Sequence, residues 1–200
     1  MKYVLKIFIL LAGFVLYFNA NSFASVDAAV YGGYVFNGMY GVSSGSMHTG
    51  FDLTGPQFGL KGHYNLQLTT TLDLGLGAFF QYASYTVDLS GAGAPSDIDL
   101  KRMAAGLDLN FIFAATSEVY PYIRVTYSLY DNLESDGDDV SGNFKGFGFG
   151  AGVEYAINPN IRVFGEFMYE RPSFELPDGV SADDLYVTAM SVNAGLKYIF

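Results

Sequence analysis

Charge is scarce in this sequence, and cysteine is absent. Only 15% of the 200 residues are charged and 50% are hydrophobic, a low charge content for a soluble domain. The lack of cysteine excludes disulfides, thiolate metal sites and lipid attachment to an N-terminal cysteine. Basic residues are the scarcer kind, with ten Lys and Arg against 20 Asp and Glu, so the formal charge is −10. This acidic balance argues against nucleic acid as a partner.

Long apolar runs are also missing, except near the N-terminus. In residues 1–24, two lysines precede an apolar run over residues 7–18, and small residues stand at Ser22 and Ala24. This pattern predicts a secretory signal peptide, followed by a single mature domain, residues 25–200. The run is short for a helix that spans hydrocarbon, which needs roughly 20 residues. No transmembrane helix is therefore expected in the mature chain.

Alternation of residue type is the dominant pattern in what remains. In Tyr186–Phe200, every second residue counted back from the end is mostly apolar or aromatic, and those between are mostly small or polar. In Gly146–Ile157, Glu154 shares one side with four glycines, and the aromatic residues occupy the other. Successive side chains of a strand point to opposite faces. A narrow enclosed lumen needs small residues and a few paired ions, so the apolar face is predicted to meet lipid.

Strands can span a bilayer only as a closed barrel, because an open edge leaves backbone groups unsatisfied in hydrocarbon. The sequence contains eight such alternating segments, joined by connections that are alternately long and short. We therefore predict an all-β fold, an eight-stranded antiparallel up-and-down transmembrane β-barrel. The predicted strands are 29–40, 57–64, 68–87, 101–113, 119–129, 146–157, 161–170 and 186–200. An even strand number places both chain ends on the side of the short turns.

The signal peptide, the eight amphipathic strands, the motif FGFGAGVEY and the ending GLKYIF together resemble the small bacterial outer-membrane β-barrels. That family includes OmpX, OmpW, opacity-type adhesins and the OmpA membrane domain. The resemblance implies the bacterial outer membrane as location, with a monomer among outer-membrane lipids and lipopolysaccharide. It also implies that Leu196, Tyr198 and Phe200 form the signal read by the barrel assembly machinery. Because tryptophan is absent, any interfacial girdle must consist of Tyr and Phe.

Charged residues on the inward parity are predicted to form one lumen network. An eight-stranded lumen is just wide enough to be filled by side chains, so these ions should pair with one another. The alternative is that the network provides a narrow path for ions or protons. The predicted network consists of Lys61, Asp73, Arg102, Asp108, Arg124, Glu154, Arg162, Glu166 and Lys197.

Two patterns raise the question of a metal or catalytic site. The third loop holds several carboxylates around a glycine over residues 131–139, which leaves calcium binding open, although the spacing does not fit an EF-hand loop. Lipid-modifying barrels need a histidine beside a serine and a carboxylate, and only His48 and His63 are available. His48 lies in the first predicted loop and His63 points into the lumen. We predict no catalytic site, no cofactor and no metal.

The sequence thus favours a structural or surface-interaction role through four extracellular loops, which are rich in Gly, Ser and Asp and are suited to contact host molecules or other surface ligands. The first alternative is a narrow transporter of small hydrophobic molecules or ions. The second is a lipid A-modifying enzyme. A soluble lipocalin-like barrel is excluded, because it would place nearly every Phe, Leu and Tyr of eight strands in one small interior.

Overall fold

The structure, a computed structural model, describes residues 24–44, 47–87, 98–135, 138–139, 145–175 and 184–200. These residues form eight long strands and one strand of two residues. No helix in these ranges is long and apolar enough to cross a membrane. The strands are β1 Ala24–Ser44, β2 Met47–Thr69, β3 Leu72–Val87, β4 Ile98–Phe113, β5 Val119–Ser135, β6 Asp138–Asp139, β7 Lys145–Ala156, β8 Ile161–Glu175 and β9 Asp184–Ile199.

The eight long strands form a closed antiparallel barrel, as predicted. Each pairs with its neighbours in the chain, and β1 also pairs with β9, with Asp27 opposite Ile199. The short strand β6 pairs only with β5 and lies outside the closed ring. Every seam of the barrel is therefore hydrogen-bonded, which a sheet surrounded by lipid requires.

The strands are staggered around the barrel. Starting from Asp27 on β1, we can follow the directly opposed residue on each next strand around the barrel. After the seven other long strands this path reaches β1 again at Gly38 rather than at Asp27. The offset along β1 between Asp27 and Gly38 includes one extra residue, which belongs to a bulge between Val35 and Gly38. A stagger of this kind tilts the strands, typically by about 35–45°, and sets a lumen just wide enough for side chains.

The strands extend beyond their predicted ends on the loop side. The predicted loop 41–55 is largely strand, since β1 and β2 pair as far as Ser44 and Met47. Residues 130–135 and 171–175, predicted as loop, belong to β5 and β8. The physical reason is that apolar alternation records contact with lipid, whereas the hydrogen-bonded ladder continues after a strand has left the bilayer.

The two faces of the barrel are as predicted. On β7, Phe147, Phe149 and Tyr155 point outward and are about half exposed, while Glu154 points inward and is 2% exposed. The inner wall leaves little space, because a Cβ added at Gly150 would overlap the sulfur of Met168. Glycine is required at this position because the inward side chain of Met168, directly opposite on the neighbouring strand β8, occupies the space.

The predicted signal peptide lies outside the described residues except for Ala24. That residue begins β1 and is opposite Leu66 on β2. Both described chain ends, Ala24 and Phe200, lie at the end of the barrel that carries the short turns, where the backbone N–H of Phe200 donates to the carbonyl of Val26 at 2.9 Å.

Candidate functional site

The interior of the barrel holds most of the polar chemistry of the chain. Inward positions of the long strands bring together five basic side chains and six carboxylates, almost all of them buried. Such charges are tolerated in an enclosed space only when they are paired and hydrogen-bonded. The basic residues are Lys61, Arg102, Arg124, Arg162 and Lys197, and the carboxylates are Asp27, Asp108, Asp131, Glu154, Glu166 and Glu170.

A central group lies around Arg124. Its guanidinium contacts Asp108 at 2.8 Å and Glu166 at 2.8 Å, so it joins β4 to β8 across the lumen. Glu166 also accepts hydrogen bonds from Lys61 and from the hydroxyl of Tyr122, both at 2.8 Å. Arg124, Asp108 and Glu166 therefore each face more than one partner, which offsets their loss of water.

Aromatic rings fill the space beside these cations. The amine of Lys61 lies 4.2 Å from the ring centroid of Phe164 and 5.7 Å from that of Tyr31. The guanidinium of Arg124 lies 5.8 Å from the Tyr31 ring. Cation–π contacts of this kind are worth roughly 0.5–2 kcal/mol each. They stabilise the cations while occupying volume that would otherwise hold water.

His63 connects two carboxylates near the short-turn end. Its Nδ1 lies 2.8 Å from an oxygen of Asp27, and its Nε2 lies 3.3 Å from an oxygen of Asp108. Asn65 donates to the other oxygen of Asp27 at 2.8 Å. The side-chain amide of Asn110 lies 2.8 Å from Nε2. With the Nδ2 of Asn110 as donor, Nε2 accepts and the ring proton lies on Nδ1. An Asn110 amide turned over would instead place its unpartnered Oδ1 beside Nε2 and would suit an imidazolium.

Glu154 occupies the mouth of the lumen at the same end. It accepts a hydrogen bond from Arg162 at 2.9 Å and another from Lys197. Lys197 also lies 3.4 Å from Asp27, which links this group to His63. The guanidinium of Arg162 stacks 3.8 Å from the ring centroid of Tyr120. Charge and aromatic packing therefore close the lumen at the short-turn side.

Toward the loop end, Arg102 is the centre of a third group. It donates to Asp131 at 2.8 and 2.6 Å and to Glu170 at 3.0 Å. Glu170 also accepts from Gln81 at 3.2 Å, and Gln81 in turn donates to Gln57 at 3.1 Å. The polar network thus extends from the short-turn mouth to this level without a break.

Above Arg102 the interior becomes apolar. Nine inward residues, each at most 4% exposed, pack into a cluster that we call the apolar plug. The hydroxyl of Tyr85 connects the plug to the network through a hydrogen bond from Arg102 at 3.4 Å. The plug consists of Val35, Leu53, Ala83, Tyr85, Val87, Leu100, Leu133, Val187 and Ala189. It was not predicted from the sequence.

The structure brings eight of the nine predicted lumen residues into ion pairs. The exception is Asp73, which points inward at the short-turn end, is only partly buried, and makes no ion pair with any residue in the described ranges. Three carboxylates and His63 belong to the network although they were not included in it. The added carboxylates are Asp27, Asp131 and Glu170.

These additional carboxylates were missed for identifiable reasons. Asp27 precedes the predicted start of the first strand, and Glu170 has the inward parity of its strand but was left out of the set. Asp131 was assigned to the acidic loop as a candidate calcium ligand. A bulge at Leu129 shifts the parity of β5, because Ser128 is opposite Gly106 while Tyr130 is opposite Ala105. Asp131 therefore points inward, and the prediction that it is a loop residue was wrong.

The remaining predicted sites divide between described and undescribed residues. Leu196, Tyr198 and Phe200 point outward and are 52%, 47% and 72% exposed. The backbone at His48 is described but its side chain is not, and the side chains at 138–139 also lie outside the described set. Among residues that the structure describes, no three His, Asp or Glu side chains are placed to hold a metal ion.

Comparison with known proteins places this geometry in context. Residues 9–200 match the family model described as "Outer membrane protein beta-barrel domain". No curated protein sequence matches the chain.

Among solved structures, the Neisserial surface protein A is similar at 20% identity and a TM-score of 0.53, over 88% of this chain and 99% of that one. OprG from Pseudomonas aeruginosa shares 15% identity with a TM-score of 0.49, over 89% and 97%. Ail from Yersinia pestis shares 17% with a TM-score of 0.46, over 87% and 98%. At 20% identity, the similarity to the Neisserial surface protein A supports a shared fold and nothing further.

Proposed function

We propose, for a chain that belongs to the outer membrane protein β-barrel domain family, a non-catalytic role in presenting surface loops. The protein is an integral protein of the bacterial outer membrane. In such barrels the short turns face the periplasm and the long connections face the exterior. The tip of the β1–β2 hairpin and the connections that follow β3, β5 and β8 are then on the cell surface, where they contact host molecules or other surface ligands.

The observation that carries this proposal is the filled interior. The polar network occupies the lumen from its periplasmic mouth to Arg102, and the apolar plug occupies the space beyond. A continuous water column needs a lumen wider than eight strands provide. A barrel whose lumen is filled by a polar network and an apolar plug is suited to act as a rigid support and poorly suited to pass solutes.

The environment of His63 supports a non-catalytic role. Both of its ring nitrogens lie near buried carboxylates inside the lumen, and neither contacts a serine hydroxyl among the side chains that the structure describes. A nucleophilic mechanism would need a serine within hydrogen-bond reach of the base and open to substrate. His63 therefore serves to pair Asp27 with Asp108.

Electrical recording separates this proposal from transport. We expect the folded protein in planar bilayers to show no steady conductance, while an unrelated channel protein in the same membrane provides the positive control. A second recording uses Leu53→Ser with Leu133→Ser, which makes the plug polar and leaves the network intact. Discrete, reproducible wild-type channels would contradict the proposal and favour the narrow transporter.

Loop replacement tests the surface role directly. Segments 44–47, 88–97, 136–144 and 176–183 are replaced one at a time by short Gly/Ser linkers, and cells that display each variant are tested for binding to immobilised polysaccharide, matrix protein and other bacteria. Substitution of Thr70 and Thr71, in a periplasmic turn, is the matched control. We expect at least one replacement to reduce binding and the control to leave it unchanged. Equal binding by every variant would contradict the proposal.

A further inference from the structure

The outer wall of the barrel has its own charge pattern. Outside residues 1–23 the chain has eight Lys and Arg residues, all within the described ranges. Five are in the interior network. The other three, Lys101, Lys145 and Arg171, are exposed and point outward. Each is the first outward residue beyond the apolar run of its strand, next to Met103, Phe147 and Tyr169 respectively.

All three outward cations lie at the loop end of the barrel. The described short turns, residues 70–71, 114–118 and 157–160, contain neither Lys nor Arg. A protein with a net charge of −10 gains nothing from general attraction to an anionic surface. Outward cations are therefore available to an anionic group only at the loop end of the described apolar belt.

Two of these cations are close to each other. Arg171 on β8 is directly opposite Phe147 on β7, and Lys145 is opposite Ser173, so Lys145 and Arg171 are diagonal neighbours on the outer face. Diagonal positions of an antiparallel pair lie roughly 7–8 Å apart, within reach of long side chains. Neither residue forms an ion pair with any described residue. The guanidinium of Arg171 lies 6.0 Å from the ring of Tyr186, which limits its orientation.

Lys101 has a different environment. It lies on β4 directly opposite Glu134 on β5, and Asp99 is the preceding outward residue of its own strand. These carboxylates reduce the positive potential around Lys101. The outward neighbours of Lys145 and Arg171 whose side chains the structure describes are Phe147, Tyr169 and Ser173, none of them charged. Glu175 follows two residues after Ser173 on the same strand.

We propose that Lys145 and Arg171 bind the phosphate of an anionic lipid headgroup in the outer leaflet. Arginine donates two hydrogen bonds to one phosphate, and lysine adds a compact positive charge. The acyl chains of the same lipid lie along the aromatic surface of Phe147 and Phe149, which is more than half exposed. The site depends on the orientation of the barrel in the membrane and is independent of what the loops bind.

The test uses the full mature protein folded into phosphatidylcholine vesicles, with and without added lipid A. Urea unfolding is followed by the difference in gel mobility between folded and unfolded chains. A ligand that binds only the folded state raises the unfolding midpoint. We expect lipid A to raise the wild-type midpoint and to have little effect on Lys145→Ala with Arg171→Ala. Lys101→Ala is the matched control and should retain the full increase.

Comparison in phosphatidylcholine alone shows whether the variants fold equally well, and inorganic phosphate in the same vesicles tests the phosphate without its lipid. Phosphate alone should not shift the midpoint. A double variant that keeps the full lipid A increase would overturn the proposal, as would a Lys101→Ala variant that loses as much. An equal increase from inorganic phosphate would overturn the assignment to a lipid.

Discussion

Arg102 on β4 and Asp131 on β5 form a two-point ion pair at the boundary between the polar network and the apolar plug. The Nε and one terminal nitrogen of the guanidinium donate to the two carboxylate oxygens at 2.8 and 2.6 Å. The remaining terminal nitrogen donates to Glu170 and to the hydroxyl of Tyr85. One guanidinium therefore links β4 to β5 and β8, and it also contacts Tyr85, a residue of the apolar plug.

Replacement of Arg102 by Met should be strongly destabilising. It removes the shared cation and leaves Asp131 and Glu170 as buried carboxylates without their counter-ion, which costs about 3–5 kcal/mol. The free energy of unfolding is measured in urea with the protein in lipid vesicles.

The matched variant removes all three charges together, as Arg102→Met, Asp131→Asn and Glu170→Gln. Because no unpaired charge remains, we expect this variant to recover most of the lost stability. A single variant as stable as the wild type, or a triple variant as unstable as the single one, would show that the ion pair does not determine stability at this level.

His63 should act as the sixth cation of the interior. Five Lys and Arg side chains and six carboxylates form the ion pairs there, and Asp73 also points inward, so a protonated His63 reduces the excess of negative charge. We expect His63→Gln to lower the free energy of unfolding by about 1–3 kcal/mol. Asp27→Asn, added to the same chain, should restore much of it by removing the excess negative charge. Nitrogen NMR of the wild type checks the premise independently, because both ring nitrogens should carry protons.

Gly77 and Gly32 should respond in opposite ways to alanine. A Cβ at Gly77 would overlap the carbonyl oxygen of Gly62 and lie 2.6 Å from the ring of His63. A Cβ at Gly32 would point outward, with its nearest neighbour, the carbonyl oxygen of Gln57, 3.9 Å away. We expect Gly77→Ala to prevent formation of the folded, heat-modifiable band, and Gly32→Ala to change stability by less than about 0.5 kcal/mol. Similar behaviour of both variants would refute the assignment of the two faces.

The C-terminal Phe200 should matter for assembly more than for the folded barrel. Its side chain is 72% exposed, and its backbone N–H makes the bond to Val26 whatever the side chain is. Phe200→Ala should therefore leave the urea midpoint nearly unchanged and slow insertion into vesicles that contain the purified assembly machinery. Unassisted folding into detergent provides the control. A variant that inserts at the wild-type rate would argue against a signal at this residue.

The face assignment and the strand number could be predicted because lipid contact is encoded directly in residue type. On β7, Phe147 and Phe149 alternate with glycines. Only a barrel surrounded by lipid puts the aromatic residues in an apolar environment and the glycines in a narrow lumen. The ion pairing within the lumen followed from the same alternation, combined with the narrow width of eight strands.

The apolar plug could not be predicted, because toward the loop end apolar side chains occupy the inner face as well as the outer one. Leu100 lies in a predicted loop and Val187 on the predicted polar face, yet both are buried inside. Beyond the membrane the wall meets water, so the inside becomes the favourable place for apolar side chains. The bulge at Leu129, which turns Asp131 inward, leaves no clear mark in residue type either.

Pairing of β1 with β9 has a consequence for the order of events during biogenesis. Asp27 and Ile199 are opposite each other, although nearly the whole mature chain separates them. Seven seams join strands that follow one another in sequence, but this one cannot form until the last strand has been synthesised and exported. Contacts of such long sequence separation form slowly. Closure of the barrel is therefore the last step of folding, and until it occurs the edges of β1 and β9 have unpaired backbone groups.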